Sequence, residues 1–342
     1  HPRAQRNFQE KPMDLSTTYL GCQLPHPLMA GSSPLALDLD RAKRMADAGA
    51  AAIVMPSLFE EQIAREQDGT LRDLESHNES FAEALSYFPR PQEFRFGAEN
   101  YLEHIQKLKQ TVGIPVFASL NGTTPLGWVD YAKQIQEAGA DALELNVHFM
   151  ATDPVERGDV LEKRILDLVS AVKRTVAIPV AVKLSPYFTA LPHLARSLEA
   201  AGADGLVLFN RFLQPDIDIE NLEVVPAIEL SDPKILRLRV RWLTLLYGSL
   251  KVPMAVSGGV HSAQDAIKAV MAGASAVQMV SAVYQQGPEV FGKVLQGMSS
   301  WLDEHQYDSL LQMRGSMSLQ KCPDPRALER ANYMRVLTGW KA

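Results

Sequence analysis

The sequence predicts a single parallel (β/α)8 barrel, and two interleaved repeats predict it. Four times a helical stretch ends in Ala-Gly-Ala and passes into a short apolar run. These are Ala48-Gly49-Ala50 before Ile53-Val54-Met55, Ala138-Gly139-Ala140 before Leu143-Glu144-Leu145-Asn146, Ala201-Gly202-Ala203 before Leu206 to Phe209, and Ala272-Gly273-Ala274 before Val277 to Val280. Glycine just past a helix end adopts the left-handed turn at little steric cost. Three further runs enter through a proline, which cannot continue a helix but tolerates the first strand position: Ile114-Pro115-Val116, Ile178-Pro179-Val180 and Val252-Pro253-Met254. The two types alternate strictly.

Taken in order, Pro25 to Ala30 is the first strand, and the seven runs above complete eight. They are almost continuously apolar, as strands covered on both faces must be. Apolar residues at helical spacing fill the gaps: Leu39 to Ala48, Gly97 to Val112, Trp128 to Ala138, Val160 to Val176, Leu191 to Ala200, Arg237 to Tyr247, Ala263 to Ala272 and Pro288 to Glu304. Strand–helix alternation to eight implies a closed parallel barrel; an open doubly wound sheet is the competing architecture. A long insertion separates Ser57 from Phe96. Asp14 to Gln23 reads as a hairpin that plugs the barrel bottom, and Ser309 to Trp340 as one or two terminal helices. The expected organisation is therefore an extension over residues 1–13, disordered and with Met13 as a start, a barrel over 14–308, and a helical extension of the same domain over 309–342.

Composition fits one domain. About 250 residues suffice for such a barrel, and the chain has 342, of which 46% are hydrophobic and 22% charged, with a net charge of −6. That balance argues against nucleic acid, which needs a basic face. Cys22 and Cys322 show no metal-ligand spacing. The polar first residues carry no apolar secretory segment, and no run has the roughly 18 apolar residues of a membrane span. The expectation is a cytoplasmic protein without a membrane partner.

Barrel sites lie at the C-terminal ends of the strands. Strand seven ends in Ser257-Gly258-Gly259-Val260 and strand eight in Met279-Val280-Ser281-Ala282. Glycines there let backbone N–H groups approach a phosphate; two tight turns without a ligand are the alternative. Lys183, in Val182-Lys183-Leu184-Ser185-Pro186, is costly inside an apolar strand without an anionic or polar partner; it either serves the site or snorkels to the rim. Asn146 and Asn210, at the ends of strands four and six, could hydrogen-bond a planar heterocycle or be satisfied turn residues. Ala30-Gly31-Ser32-Ser33-Pro34 is a small-residue turn that could admit a ring. For a base, the loop after strand four offers His148 and Asp153, with Thr152 only if something activates it.

These residues together resemble the dihydroorotate dehydrogenase family, nearest its soluble FMN-containing class, over about Met13 to Glu304. Gln312 to Met317 and Glu329 to Met334 resemble a divergent bacterial dihydroorotate dehydrogenase-like branch. The resemblance implies bound FMN. It implies flavin contacts from Ser32 (in the Ala-Gly-Ser turn), Ser57, Asn146, Lys183 at the flavin edge, Phe209, and the phosphate loops Gly258, Gly259, Val280 and Ser281. Asn146, Asn210 and Arg211 would face the substrate. Where the soluble class has its basic Cys, the chain has Phe149, and Ala151 replaces the following Asn; the family's Thr-Lys-Ser reads Met55-Pro56-Ser57. His148 and Thr152 are then the candidate catalytic residues. The expected function is oxidation of dihydroorotate, or a related small cyclic substrate, with hydride transfer to FMN in pyrimidine biosynthesis. An FMN enzyme for a different substrate and a non-catalytic phosphate- or flavin-binding barrel are the alternatives. The resemblance leaves the electron-transfer partner unidentified and the oligomeric state open, dimers being common among soluble relatives.

Overall fold

A computed structural model describes residues 13–59, 97–122, 125–147, 149, 151–211, 215–225, 229–326 and 332–339. Residues 1–12, most of the expected extension, and residues 60–96, most of the insertion, lie outside the described residues. The chain opens with the antiparallel hairpin β1 (Thr17–Tyr19) and β2 (Cys22–Leu24). It continues through β3 (Leu28–Ala30), α1 (Leu39–Asp47), β4 (Ile53–Phe59), α2 (Ala98–Val112), β5 (Val116–Asn121) and α3 (Pro125–Glu137). Then come β6 (Ala142–Asn146), α4 (Gly158–Thr175), β7 (Val180–Leu184), α5 (Leu191–Ala200) and β8 (Gly205–Leu208). After a small antiparallel hairpin, β9 (Asp216–Asp218) and β10 (Glu223–Val225), the order resumes with α6 (Leu236–Leu246), β11 (Met254–Ser257), α7 (Ala263–Ala272) and β12 (Ala276–Met279). Short α8 (Ser281–Gln286), α9 (Val290–Glu304), α10 (Leu310–Met313) and α11 (Asn332–Thr338) close the chain. Among the described residues, no helix is long and apolar enough to cross a membrane.

The barrel is closed and parallel, in the order β11-β12-β3-β4-β5-β6-β7-β8. The expected (β/α)8 architecture stands, with three local differences. Helix α3 begins at Pro125, three residues before the expected Trp128, because proline suits a helix's first turn. Gly287, at φ +81, cuts α8 off from α9. The β9–β10 hairpin was not expected: its strands are short and exposed, and Asp218 makes its turn by accepting the N–H groups of Glu220 (2.9 Å) and Asn221 (3.0 Å).

Side chains alternate along each strand. Leu143, Val180, Val182, Leu206, Val256 and Val277 belong to the main core cluster, whereas Met29, Val54, Phe117, Ala142, Ala181, Val207, Ala255 and Ala276 form a second cluster with Tyr19, Leu20 and Leu24 of the hairpin. This is the plug at the barrel bottom. Four of its barrel residues are alanines, which leaves room for Tyr19; its ring lies 6.1 Å from that of Phe117. One step higher, the same inward rows carry Glu144, Lys183 and Gln278. The interior thus changes from apolar to polar halfway up.

Pro56 has no N–H to give the β4–β5 ladder, whose register shifts between Val54 and Ser57. Tyr101 of α2 repairs the gap: its hydroxyl accepts Ser119 N–H (3.0 Å) and bonds Pro56 O (3.0 Å). Burial raises the Tyr101 pKa and keeps the hydroxyl neutral.

His26, at the entrance to β3, is buried, and its Nδ1 accepts Leu28 N–H (3.3 Å). That bond requires neutral imidazole, and burial pushes the pKa down to about 4 from 6.5. The unfolded chain therefore binds the proton first as pH falls, so stability present above pH 6.5 is lost progressively towards pH 4, by up to about 3 kcal/mol. Urea midpoints across that window should show the loss, and His26→Asn, whose Oδ1 can accept the same N–H, should flatten it; an unchanged slope would remove His26 from the acid sensitivity.

Candidate active site at the barrel mouth

Lys183 projects from β7 into the barrel and meets Glu144 of the neighbouring strand β6: Nζ donates to Oε1 at 3.1 Å, with side chains only 7% and 3% exposed. From β12, four strands away and therefore across the barrel, Gln278 Nε2 donates to Glu144 Oε2 at 2.6 Å. The lysine has the anionic partner that its burial demands. Around it two buried acceptors have no partner: Gln278 Oε1 and Asn146 Oδ1. An unpaired buried polar atom costs about 1–3 kcal/mol, so both are places that a donor from a ligand or a water would satisfy. Asn146 Nδ2 donates to Ser57 Oγ (3.2 Å), which in turn bonds Ser119 Oγ (2.8 Å). Two hydroxyls and an amide, from β4, β5 and β6, thus line this side of the mouth.

The loops after β11 and β12 form a cup. Gly258 and Gly259 have φ of +89° and +83°, and a Cβ on Gly259 would lie 2.7 Å from Leu236 N. Gly259 N–H donates to Ser231 Oγ (3.2 Å); Ser281 Oγ bonds Ser231 Oγ (2.9 Å) and accepts Ser231 N–H (2.8 Å). Val280 caps the start of α8. Behind the cup, Arg239 is buried; its Nε donates to Ser257 O (2.5 Å) and its NH1 to Ile235 O (2.9 Å). Among the described residues it has no carboxylate partner. Burial, helped by the charge of Arg211, pushes its pKa down to about 10, so it stays a cation at neutral pH. Gly31 closes the other side: a Cβ there would lie 2.7 Å from Val280 Cγ2. Ser32 beside it is half-buried.

The remaining expected residues are less concentrated. Phe209 is buried at the end of β8, and Asn210 donates its N–H to Leu184 O (2.7 Å) while its Oδ1 accepts Arg211 N–H (2.9 Å). Arg211 is exposed. Thr152 is exposed on the loop after β6 and shares no hydrogen bond with the mouth among the described residues. His148 lies outside the described residues. Phe149 is half-buried under Arg164, whose guanidinium sits 5.9 Å from the ring centroid, a cation–π packing role. Sequence reasoning passed over Glu144, Gln278, Ser119, Ser231 and Arg239. Glu144 and Gln278 carried a visible sign, a polar side chain inside an apolar run; the others depend on neighbours far away in the chain.

The chain's residues 95–302 match the family model for dihydroorotate dehydrogenase. The catalytic subunit of dihydroorotate dehydrogenase B (NAD(+)) from Thermoplasma acidophilum is 30% identical over 313 residues, 88% of this chain and 98% of that one. The same subunit from Methanothermobacter thermautotrophicus is 34% identical over 227 residues, 64% and 73% of the two chains. A putative dihydroorotate dehydrogenase A (fumarate) of Aeropyrum pernix is 35% identical over 224 residues, 63% and 72%.

Glu144→Gln keeps an acceptor for Lys183 but leaves a buried ammonium without countercharge. It should cost on the order of 3 kcal/mol, and the double substitution Glu144→Gln with Lys183→Met should recover most of that. Urea denaturation of the three proteins measures this; equal stability of the single variant and the parent would mean that the pair is not needed to hold the barrel.

Proposed function

The chain belongs to the dihydroorotate dehydrogenase family and is an oxidoreductase acting on a CH–CH bond; from that premise we propose that it holds FMN at its barrel mouth and oxidises dihydroorotate. The observation that carries this reading is the polar layer: a buried cation, Lys183, flanked by two unpartnered buried acceptors, Asn146 Oδ1 and Gln278 Oε1. A planar heterocycle with ring N–H donors and an anionic reduced form suits that set. The cup suits its phosphate. Gly259 N–H already binds an oxygen, that of Ser231; Ser281 supplies a hydroxyl, and Arg239 supplies a charge that no described carboxylate neutralises.

When bound, FMN would supply the two-electron sink. The chain's own residues would do the rest. Lys183, hydrogen-bonded to Glu144, would oppose negative charge at the ring edge. Gly258, Gly259, Val280 and Ser281 would anchor the phosphate, with Ser32, Ser57 and Phe209 against the ring. Asn146 and Asn210 would orient the substrate's amide edges, and Arg211 its carboxylate. His148 would remove the acidic proton next to the substrate's ring carbonyl, because Phe149 cannot accept one. Thr152, exposed and without an activating partner among the described residues, is a weaker candidate than His148. The names of the Methanothermobacter and Thermoplasma relatives, catalytic subunits of an NAD(+) enzyme, support a companion chain that carries electrons to NAD+.

One observation favours a second reading, the same flavin acting on a different small cyclic substrate. Pro56 stands where the family has a lysine, and the polar groups beside it, Ser57, Ser119 and Asn146, are all neutral.

The test is the visible spectrum of the purified protein, before and after anaerobic dihydroorotate. Flavin bands that bleach are the expected result; bands that persist would favour the second reading, and a protein that takes up no flavin would overturn both. His148→Ala should slow the bleaching about 10²-fold or more, and near-parent rates would exclude His148 as the base.

A further inference from the structure

The C-terminal extension carries a run, Arg314-Gly315-Ser316-Met317-Ser318, that the barrel mouth does not use. It packs at the opposite end of the barrel. Gly315 N–H donates to Val270 O (3.0 Å) and Met317 N–H to Met271 O (2.9 Å), which ties the run to the end of α7. Gly315 has φ +71°, and a Cβ there would lie 2.1 Å from Tyr247 Cε1, so the run closes onto the Tyr247 ring only because the residue is glycine. Gly273 meets the same ring from α7, with a Cβ position 2.5 Å from Cδ2. Clamped in this way, Tyr247 joins Leu20, Pro253, Lys251 and Arg314 in lining a cavity of about 690 Å3. Small-molecule sites typically span about 300–1,000 Å3.

The polar groups of this run are short of partners. Arg314 Nε, Ser316 Oγ and Ser318 Oγ are all buried and unbonded, where buried polar atoms are ordinarily satisfied. Arg314 NH1 donates to Ser275 Oγ (3.1 Å) and Thr17 Oγ1 (3.4 Å), and no carboxylate of the described residues lies within ion-pair distance of the guanidinium. The one acidic lining residue, Asp204, is already taken: Lys173 Nζ (2.6 Å) and Val180 N–H (2.7 Å) bind its Oδ2. Lys251, also lining, forms no ion pair among the described residues. Glu199 Oε1 accepts the backbone N–H groups of Lys251 (2.5 Å) and Val252 (3.0 Å), so the Arg314 guanidinium is the charge left without a carboxylate among the described residues, beside an aromatic ring and an aliphatic wall. A planar guanidinium with free N–H groups in a concave site recruits an oxyanion.

We propose a second ligand site at the N-terminal end of the barrel, for a small molecule carrying a phosphate monoester on a ring body. Arg314 and Lys251 bind the phosphate, and Tyr247, Leu20 and Pro253 receive the ring. The volume is too large for a bare anion. The site does not rest on FMN binding at the mouth. It touches the barrel interior through the hairpin: Thr18 and Leu20 line the cavity while Tyr19, between them, plugs the barrel beneath the polar layer.

Isothermal titration of the protein, carrying whatever cofactor it retains on purification, with UMP and AMP tests this, alongside uridine and inorganic phosphate. The expected result is saturable binding of a nucleotide, none of uridine, and a bound-flavin spectrum that does not change. Arg314→Gln should weaken the nucleotide about tenfold or more. Lys251→Gln, an exposed change that leaves the fold alone, should weaken it about threefold and serves if Arg314→Gln does not fold. Absence of saturable binding by both nucleotides, affinity unchanged in both variants, or release of flavin by the nucleotide would overturn the proposal. Inorganic phosphate binding as tightly as UMP would overturn the ring-binding half. A protein without flavin that binds UMP through Arg314 would leave this site standing and remove only the reading of the mouth.

Discussion

The Lys183–Glu144 pair, tied across the barrel by Gln278, is the constraint on which the mouth is built. An ammonium and a carboxylate with almost no solvent exposure must be matched to each other, because an isolated charge in such a place costs several kcal/mol. The match fixes relative heights on β6 and β7 and reaches β12 on the far side. Side chains one step up or down the same rows are therefore placed too. Asn146 pairs with Lys183 in register, and Ser119 with Glu144.

A polar layer of this kind is tolerable only over a dry floor. The hairpin β1–β2 supplies it, with Tyr19 set among Ala142, Ala181, Ala255 and Ala276. Small residues on the strands and one large residue on the plug are two halves of a single packing solution. Burial, with the nearby Glu144 charge adding to it, raises the Tyr19 pKa and keeps the ring neutral below the charged pair. At the level of the polar layer, the Tyr101 hydroxyl of α2 bonds Ser119 O in place of the N–H that Pro56 lacks, where Ser57 and Ser119 stand side by side.

Much of this was legible in the sequence. The Ala-Gly-Ala and proline entries set the eight strands, and the glycines at 258 and 259 marked the cup, because helix ends and tight turns are decided by a few adjacent residues. Lys183 announced itself by its cost. What stayed hidden were its partners: Gln278 and Glu144 are 134 positions apart, and Ser231 and Arg239 come from a loop and a helix with no pattern that points at a phosphate. The β9–β10 hairpin and short α8 were missed because a strand of three residues or a helix of six shows no periodicity.

The sequence by itself determined the barrel and the order of its elements, since periodicity and turn residues are local properties. Only the tertiary structure decided which polar side chains meet inside, and that Arg314, from beyond the eighth helix, stands over a cavity at the barrel's other end without a carboxylate partner among the described residues. Closing a sheet brings residues face to face according to strand register and barrel curvature. Neither quantity is written in the residues that are brought together.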